Sequence, residues 1–320
     1  MLLRSLIAAF AAALVLGFTF ASAGSSPAPA ADPPIAGGDL GPVPMNAPAL
    51  RRVAPRPGVE VYRGVGAWID MYDPAELGNP WPVLTEMRDR GVRTLYFETA
   101  SWRVKPRSVD FKDPEAVELF LDEAHALGIK VVAWYLPGLD DLPVDLPRTR
   151  AVLKYSTPNG QRFDGLAIDI ESQNVRSVRA RNAALVRYSR AVRRYAGPSY
   201  ALGAIIPDLR STTVSPGLWP GFPYRTAARY YDVFLPMAYS TYRGHGASYV
   251  YRYSRDNVRY VRAWTGRPVH LIGGLTNALA PGDAGAMVRG ARDGGAVGAS
   301  FYDFAIGQDE AWQALTLLGR

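Results

Sequence analysis

Residues 163–171 read Phe-Asp-Gly-Leu-Ala-Ile-Asp-Ile-Glu, and the last two acids stand at the right spacing to work together. On an extended strand alternate side chains share a face, so Ala167, Asp169 and Glu171 point one way while Leu166, Ile168 and Ile170 point the other. Two carboxyls on one face repel as anions, which raises one pKa and keeps that group protonated near neutrality. A protonated acid beside a carboxylate suits displacement at an acetal carbon: one group protonates the leaving oxygen, and the other acts as nucleophile or stabiliser. The structural alternative is that Asp169 and Glu171 cap a neighbouring helix or pair with arginines. Their surroundings decide between the two.

A strand that is apolar on one face and acidic at its tip fits a barrel opening into a cleft. The rest of the chain supplies the other staves. Short apolar runs ending in polar residues occur at Gly64–Asp70, Arg93–Glu98, Lys130–Leu136, Gly165–Glu171, Tyr200–Pro207, Asp232–Tyr239, Val269–Gly274 and Val297–Asp303. Their starts recur at roughly 30 to 37 residues, the length of one strand–loop–helix unit. Helical stretches lie between them. Asp113-Pro114-Glu115 opens one that runs to Leu127, Asn174–Ala196 is closed by Gly197-Pro198, and Ser248–Trp264, Asp283–Arg292 and Gln308–Leu318 follow. Eight strands alternating with helices predict a single-domain (β/α)8 barrel over residues 58–320. A doubly wound sheet fits less well, because no glycine-rich phosphate loop follows the first strand.

Barrel chemistry sits at the C-terminal strand ends. Those ends carry Asp70, Glu98, Asp169 with Glu171, Asp208 and Asp303, interleaved with Trp68, Tyr72, Trp134, Tyr135, Tyr239 and Tyr302. Aromatic faces stack on sugar rings, so the ring of acids and aromatics points to a carbohydrate partner.

Asp164-Gly-Leu-Ala-Ile-Asp169-Ile-Glu171 resembles the strand-four signature of family-18 glycoside hydrolases, the chitinases and endo-N-acetylglucosaminidases, which reads Asp-x-x-Asp-x-Asp-x-Glu. Tyr231-Asp232-Val-Phe-Leu-Pro-Met237-Ala-Tyr239 is similar to that family's strand-six segment ending Met-x-Tyr-Asp. The resemblance implies Glu171 as proton donor and Asp169 as the residue that positions and stabilises the substrate's own N-acetyl group. It implies Tyr239 as the partner of the acetyl oxygen. Asp164 and Met237 belong to the same motifs, and Asp70, Glu98, Tyr135 and Asp303 complete the expected substrate-binding set. The chain departs from the pattern at three places: Ala167 replaces the inner aspartate, Ser240 follows Tyr239, and Phe301-Tyr302-Asp303 stands where the family has a strand-eight tryptophan. A second, positional resemblance is to family-25 muramidases, which carry Asp-x-Glu at the end of strand four and further acids at strands one and eight. Asp70, Asp169, Glu171 and Asp303 fit that outline. Loss of the inner acid also fits a barrel that binds carbohydrate without cleaving it.

Other chemistries find little support. His125, His245 and His270 are scattered, so no zinc site or triad is visible, and His125 reads as a surface helix residue. Asp140, Asp141 and Asp145 fit a solvated loop better than a calcium site, and no P-loop or dinucleotide fingerprint occurs. No metal or cofactor is expected. Met1–Ala23 reads as a secretory signal, with Arg4, an apolar core from Leu6 to Phe20, and Ala21-Ser22-Ala23 for cleavage. Residues 24–57 are a Pro/Ala/Gly-rich spacer. The chain has no cysteine, so an exported protein must rely on core packing. A secreted or cell-wall-associated monomer is expected, with no further membrane segment. The net charge of +7 includes many arginines on the helix 174–196, which read as a solvated surface and not a nucleic-acid-binding face.

Overall fold

The computed structural model describes residues 58–72 and 74–319, so the expected signal and the whole of the spacer lie outside the described residues. Eight parallel strands close a barrel in chain order: β1 Gly64–Ile69, β2 Thr94–Ser101, β3 Lys130–Leu136, β4 Gly165–Asp169, β5 Leu202–Pro207, β6 Val233–Met237, β7 His270–Gly273 and β8 Gly298–Phe301. A helix follows each: α1 Pro80–Asp89, α2 Pro114–Ala126, α3 Leu142–Lys154, α4 Val178–Ala196, α5 Tyr224–Ala227, α6 Ala247–Thr265, α7 Asp283–Gly294 and α8 Asp309–Leu315. This is the (β/α)8 barrel expected from the sequence.

Local chemistry sets the helix ends. The Asp113 carboxylate accepts from Ala116 N at 3.0 Å before Pro114 opens α2, and Ser177 accepts from Ala180 N at 3.4 Å to start α4. Gly266 and Gly295 close α6 and α7 in the left-handed conformation that a side chain would resist.

Alternation along the strands divides the apolar residues into two cores. Leu95, Phe97, Val131, Ala133, Leu166 and Ile168 face outward under the helices. Trp68, Tyr96, Val132, Trp134, Ala167, Ile205, Leu235, Met237 and Ile272 fill the barrel itself. A helical turn, Val59–Tyr62, seals the N-terminal mouth, where Tyr62 Oη donates to the Leu166 carbonyl at 3.1 Å. Strand glycines make room for these large rings. A Cβ on Gly203 would lie 2.9 Å from Tyr62 and Leu235, and one on Gly298 would lie 2.4 Å from His270 Nδ1.

His270 stands inside the barrel, bonded to Tyr62 O and Ser300 Oγ at 2.9 Å each, and burial pulls its pKa down to about 4. It is a structural residue. The arginines of residues 174–196 are more divided than charge alone indicates. Arg176, Arg179, Arg187, Arg190 and Arg194 are exposed, as expected. Arg181 is buried against Trp219 and donates to three carbonyls, and Arg193 pairs with buried Asp232 at 2.5 Å. An arginine rich in donors and set over loop carbonyls is worth burying, and charge alone does not reveal that.

Candidate active site

The cleft opens at the C-terminal strand ends. Asp169 is the last residue of β4 and is buried, with Oδ2 accepting from the Trp134 indole N–H at 3.1 Å. Its Oδ1 is buried and has no hydrogen-bond partner among the described residues. Glu171 follows two residues later on the same face and is half-buried. Burial pushes both carboxyls up, Asp169 well above its ordinary value and Glu171 to about 7. Glu171 adds to the rise at Asp169, while Arg103 pulls both down. The two carboxyls titrate as an interacting pair, each held above its ordinary range by burial.

Three further acids continue from this pair. Glu98 accepts from Met71 N at 3.3 Å, and burial and the nearby Asp70 raise its pKa strongly. Asp70 accepts from Tyr72 N at 2.7 Å and from Tyr302 Oη at 2.9 Å, yet burial still lifts it. Asp303 accepts from Ile306 N at 3.2 Å and is raised to about 7, by burial first and by Asp70 second. A register shift in β2 between Glu98 and Ala100 marks the point where Glu98 turns into the cleft.

Aromatic rings line the other side. Tyr302 stacks with Tyr239 at 6.2 Å and meets Trp134 edge-on at 5.9 Å. Tyr302, just past β8, thus sits between Tyr239 and Trp134 at the strand ends. Met237 ends β6 beside Tyr239, and both line a recess with Tyr242, Asp208 and Arg243. Asp208 is consumed there by Arg243 at 3.4 Å and by the Tyr253 hydroxyl.

No sequence model of a known protein family matches the chain, and no curated protein does. Solved structures do match. A family GH18 chitinase from Cycas revoluta, in complex with allosamidin, superposes with a TM-score of 0.58 at 12% identity, covering 80% of this chain and 99% of that one. The spore cortex-lytic enzyme SleL of Bacillus cereus gives a TM-score of 0.57 at 11% identity, covering 80% of this chain and 74% of that one. An endo-β-1,4-mannanase from Thermotoga petrophila gives 0.57 at 12% identity, over 75% and 68% of the two chains. The three are named for different activities: a chitinase, a spore cortex-lytic enzyme and a mannanase. At these identities the shared property is the fold, and the chemistry rests on the residues above.

The structure brings Asp70, Glu98, Asp169, Glu171, Met237, Tyr239 and Asp303 to one mouth of the barrel and moves two expected residues away from it. Tyr135 faces outward, fully buried between β3 and the helices, and donates to Asp145 Oδ1 at 2.6 Å. The inward position beside it belongs to Trp134. Asp164 lies before β4 at the opposite, N-terminal end, where Val131 N and His125 Nε2 bond its Oδ2 at 2.8 Å and Lys130 Nζ sits 3.1 Å from Oδ1. These contacts hold its pKa below the usual carboxylate value, and they also make His125 a partly buried anchor and not a free surface group. The three loop aspartates diverge: Asp145 is buried on Gly138 N and Leu139 N, Asp140 meets Asn174, and Asp141 meets Arg107. Among the described residues no group of three His, Cys, Asp or Glu side chains is placed to hold a metal ion.

Sequence reasoning missed Arg103 and did not single out Trp134. Arg103 follows β2 beside Trp102 and is the cation acting on Glu98, Asp169 and Glu171. Its position five residues past Glu98, in the loop on the cleft side, was the available signal.

Proposed function

We propose that this protein is a secreted glycoside hydrolase that cleaves a polysaccharide containing N-acetylhexosamine by carboxylate acid catalysis. The observation that carries the proposal is the Asp169–Glu171 pair at the open end of β4. Glu171 holds a proton to about pH 7, and the adjacent Asp169 has one oxygen fixed by Trp134 and the other unpartnered. Glu171 protonates the glycosidic oxygen. The unpartnered Asp169 oxygen accepts the N–H of a substrate acetamido group, orienting the acetyl oxygen toward the anomeric carbon. Tyr239, its hydroxyl kept neutral by burial, donates to the acetyl oxygen. Trp134, Tyr239 and Tyr302 give the sugar ring apolar faces. Export is supported by residues 1–23, and no described helix is long and apolar enough to cross a membrane.

Incubation with chitin oligosaccharides, peptidoglycan and mannan, followed by reducing-end release, tests this. Wild type should release product from at least one N-acetylhexosamine polymer, and Glu171→Gln should release about 100-fold less. Equal release by the two proteins overturns the assignment. Glycan binding with no release would favour a non-catalytic carbohydrate-binding barrel, the reading to which Ala167 lends weight.

A further inference from the structure

The strand register sets Trp134 between unlike neighbours: Glu98 pairs with it from β2 and Ala167 from β4. All three occupy inward positions of the barrel. Ala167 is fully buried and carries no polar side-chain atom, so its strand offers Asp169 no partner from below. Trp134 provides one, through the 3.1 Å bond from its indole N–H to Asp169 Oδ2. The indole is itself pinned, edge-on to Trp68 at 5.4 Å and to Tyr302 at 5.9 Å, and is only 7% exposed. A donor fixed on two sides holds its acceptor in one orientation and favours the acceptor's anionic form. Unlike a second carboxyl, an indole neither takes nor gives up a proton in this pH range.

We propose that Trp134 is the positioning residue of this site: its indole N–H, standing in for an acid on β4, fixes Asp169 Oδ2 in one orientation and favours its anionic form against the burial that opposes it. The kinetic consequence rests on the glycosidase reading; the hydrogen bond and its effect on Asp169 do not. The other groups acting on Asp169 come from three elements. Glu171 beyond β4 and Glu98 of β2 disfavour its charge, and Arg103 beyond β2 favours it. Tyr239, beyond β6, feels the Asp169 charge but remains neutral itself. Trp134 is thus the single neutral donor bonded to the Asp169 carboxylate among the described residues.

Nuclear magnetic resonance on protein carrying 15N-labelled tryptophan tests the bond without any substrate. The Trp134 indole signal is recognised by its loss in Trp134→Phe. It should move with pH as Asp169 titrates, in wild type and in Glu171→Gln, and should lose most of that movement in Asp169→Asn. A signal that is flat in wild type, or that moves as far in Asp169→Asn, overturns the proposal; neither comparison depends on how well Trp134→Phe folds. On a glycan that wild type cleaves, Trp134→Phe should lower kcat about tenfold with little change in KM. It should also move the acid limb of the pH profile up by about one unit. Adding Ala167→Asp to Trp134→Phe should recover part of that loss by restoring a partner from below. Wild-type kcat and an unmoved acid limb in Trp134→Phe would overturn the proposal. If wild type cleaves no glycan, the glycosidase reading fails, and the indole titration still decides the role of Trp134.

Discussion

Replacing Arg148 with methionine should unfasten the loop that presents Arg103 to the acids. Arg148 stands on α3, 1% exposed, and donates to the carbonyls of Val109 and Val104 at 2.9 Å and to that of Ser101. Those carbonyls bracket Trp102 and Arg103. One hydrogen bond from a charged donor contributes about 1.5–3 kcal/mol, but bonds sharing one guanidinium do not add. A buried acceptor that loses its donor costs about 1–3 kcal/mol, so the set as a whole should cost about 3–5 kcal/mol. Here those acceptors are the carbonyls of Ser101, Val104 and Val109, which lose the guanidinium. At about 2–4 °C per kcal/mol for a domain of this size, Tm should fall by roughly 6–20 °C. Thermal unfolding and the denaturant midpoint measure this. The functional consequence has a definite sign. Arg103 lowers the pKa of both Asp169 and Glu171, so its displacement should move the pH profile of glycan cleavage toward higher pH. A Tm within 1 °C of wild type would refute the clamp, by the same conversion. A large fall in Tm with an unmoved profile would show that the loop stays in place without it.

Three further outcomes follow from the same structure. Cleavage should fall as pH rises through about 7, because Glu171 must keep its proton to act as acid; a rate that stays flat to pH 9 contradicts the assignment. Glu98 binds its proton more tightly folded than unfolded, so its stabilising contribution is full below its ordinary value of 4.5 and is lost as pH rises through the higher folded value. Glu98→Gln should therefore resemble wild type in denaturant midpoint at pH 4 and exceed it at pH 8, and an equal difference at both pH values would count against a buried, proton-holding Glu98. Gly298→Ala places a Cβ 2.4 Å from His270 Nδ1, 2.6 Å from the Tyr62 carbonyl and 2.7 Å from the Gly64 carbonyl. Backbone on two sides cannot give way, so a loss of about 1–3 kcal/mol is expected by denaturant unfolding, and a neutral variant would show that the floor of the barrel is more yielding than its packing indicates.

The barrel was legible because its signals are local. Apolar runs with acidic tips, Asp113-Pro114, and the glycines after the helices each mark an element boundary within a few residues. The carboxylates of the site were legible for the same reason, since a barrel puts every strand tip at one mouth. What sequence could not settle was parity and height. In a strand buried on both faces, Trp134 and Tyr135 look alike, and only the register with Glu98 and Ala167 shows which of them points inward. Asp164 sits in the same short motif as Glu171, yet the length of β4 separates it from the cleft. Arg103 and Arg148 were hidden in another way: a lone arginine reads as solvated, and its burial depends on carbonyls that the chain gathers only when folded.

Beneath the acids the barrel holds a column of rings that explains how a site so crowded with carboxyls keeps its shape. Tyr62 meets Tyr96 at 6.2 Å, Tyr96 stacks on Trp68 at 4.2 Å, and Trp68 meets Trp134, whose indole reaches Asp169. The foot of the column has a determined hydrogen-bond sense. Tyr62 O can only accept, so His270 carries its proton on Nδ1; its Nε2 then accepts from the Ser300 hydroxyl, whose oxygen accepts the Trp68 indole N–H at 2.8 Å. Because burial holds His270 neutral down to about pH 4, none of these bonds reverses while Glu171 and Asp303 titrate near 7. The protons of the cleft therefore move above a base that does not itself respond to pH. Ala167 belongs to the same arrangement: an acid there would bring a titrating group into the layer of Trp134, whereas a methyl leaves the indole to hold Asp169 at every pH at which the pair can work.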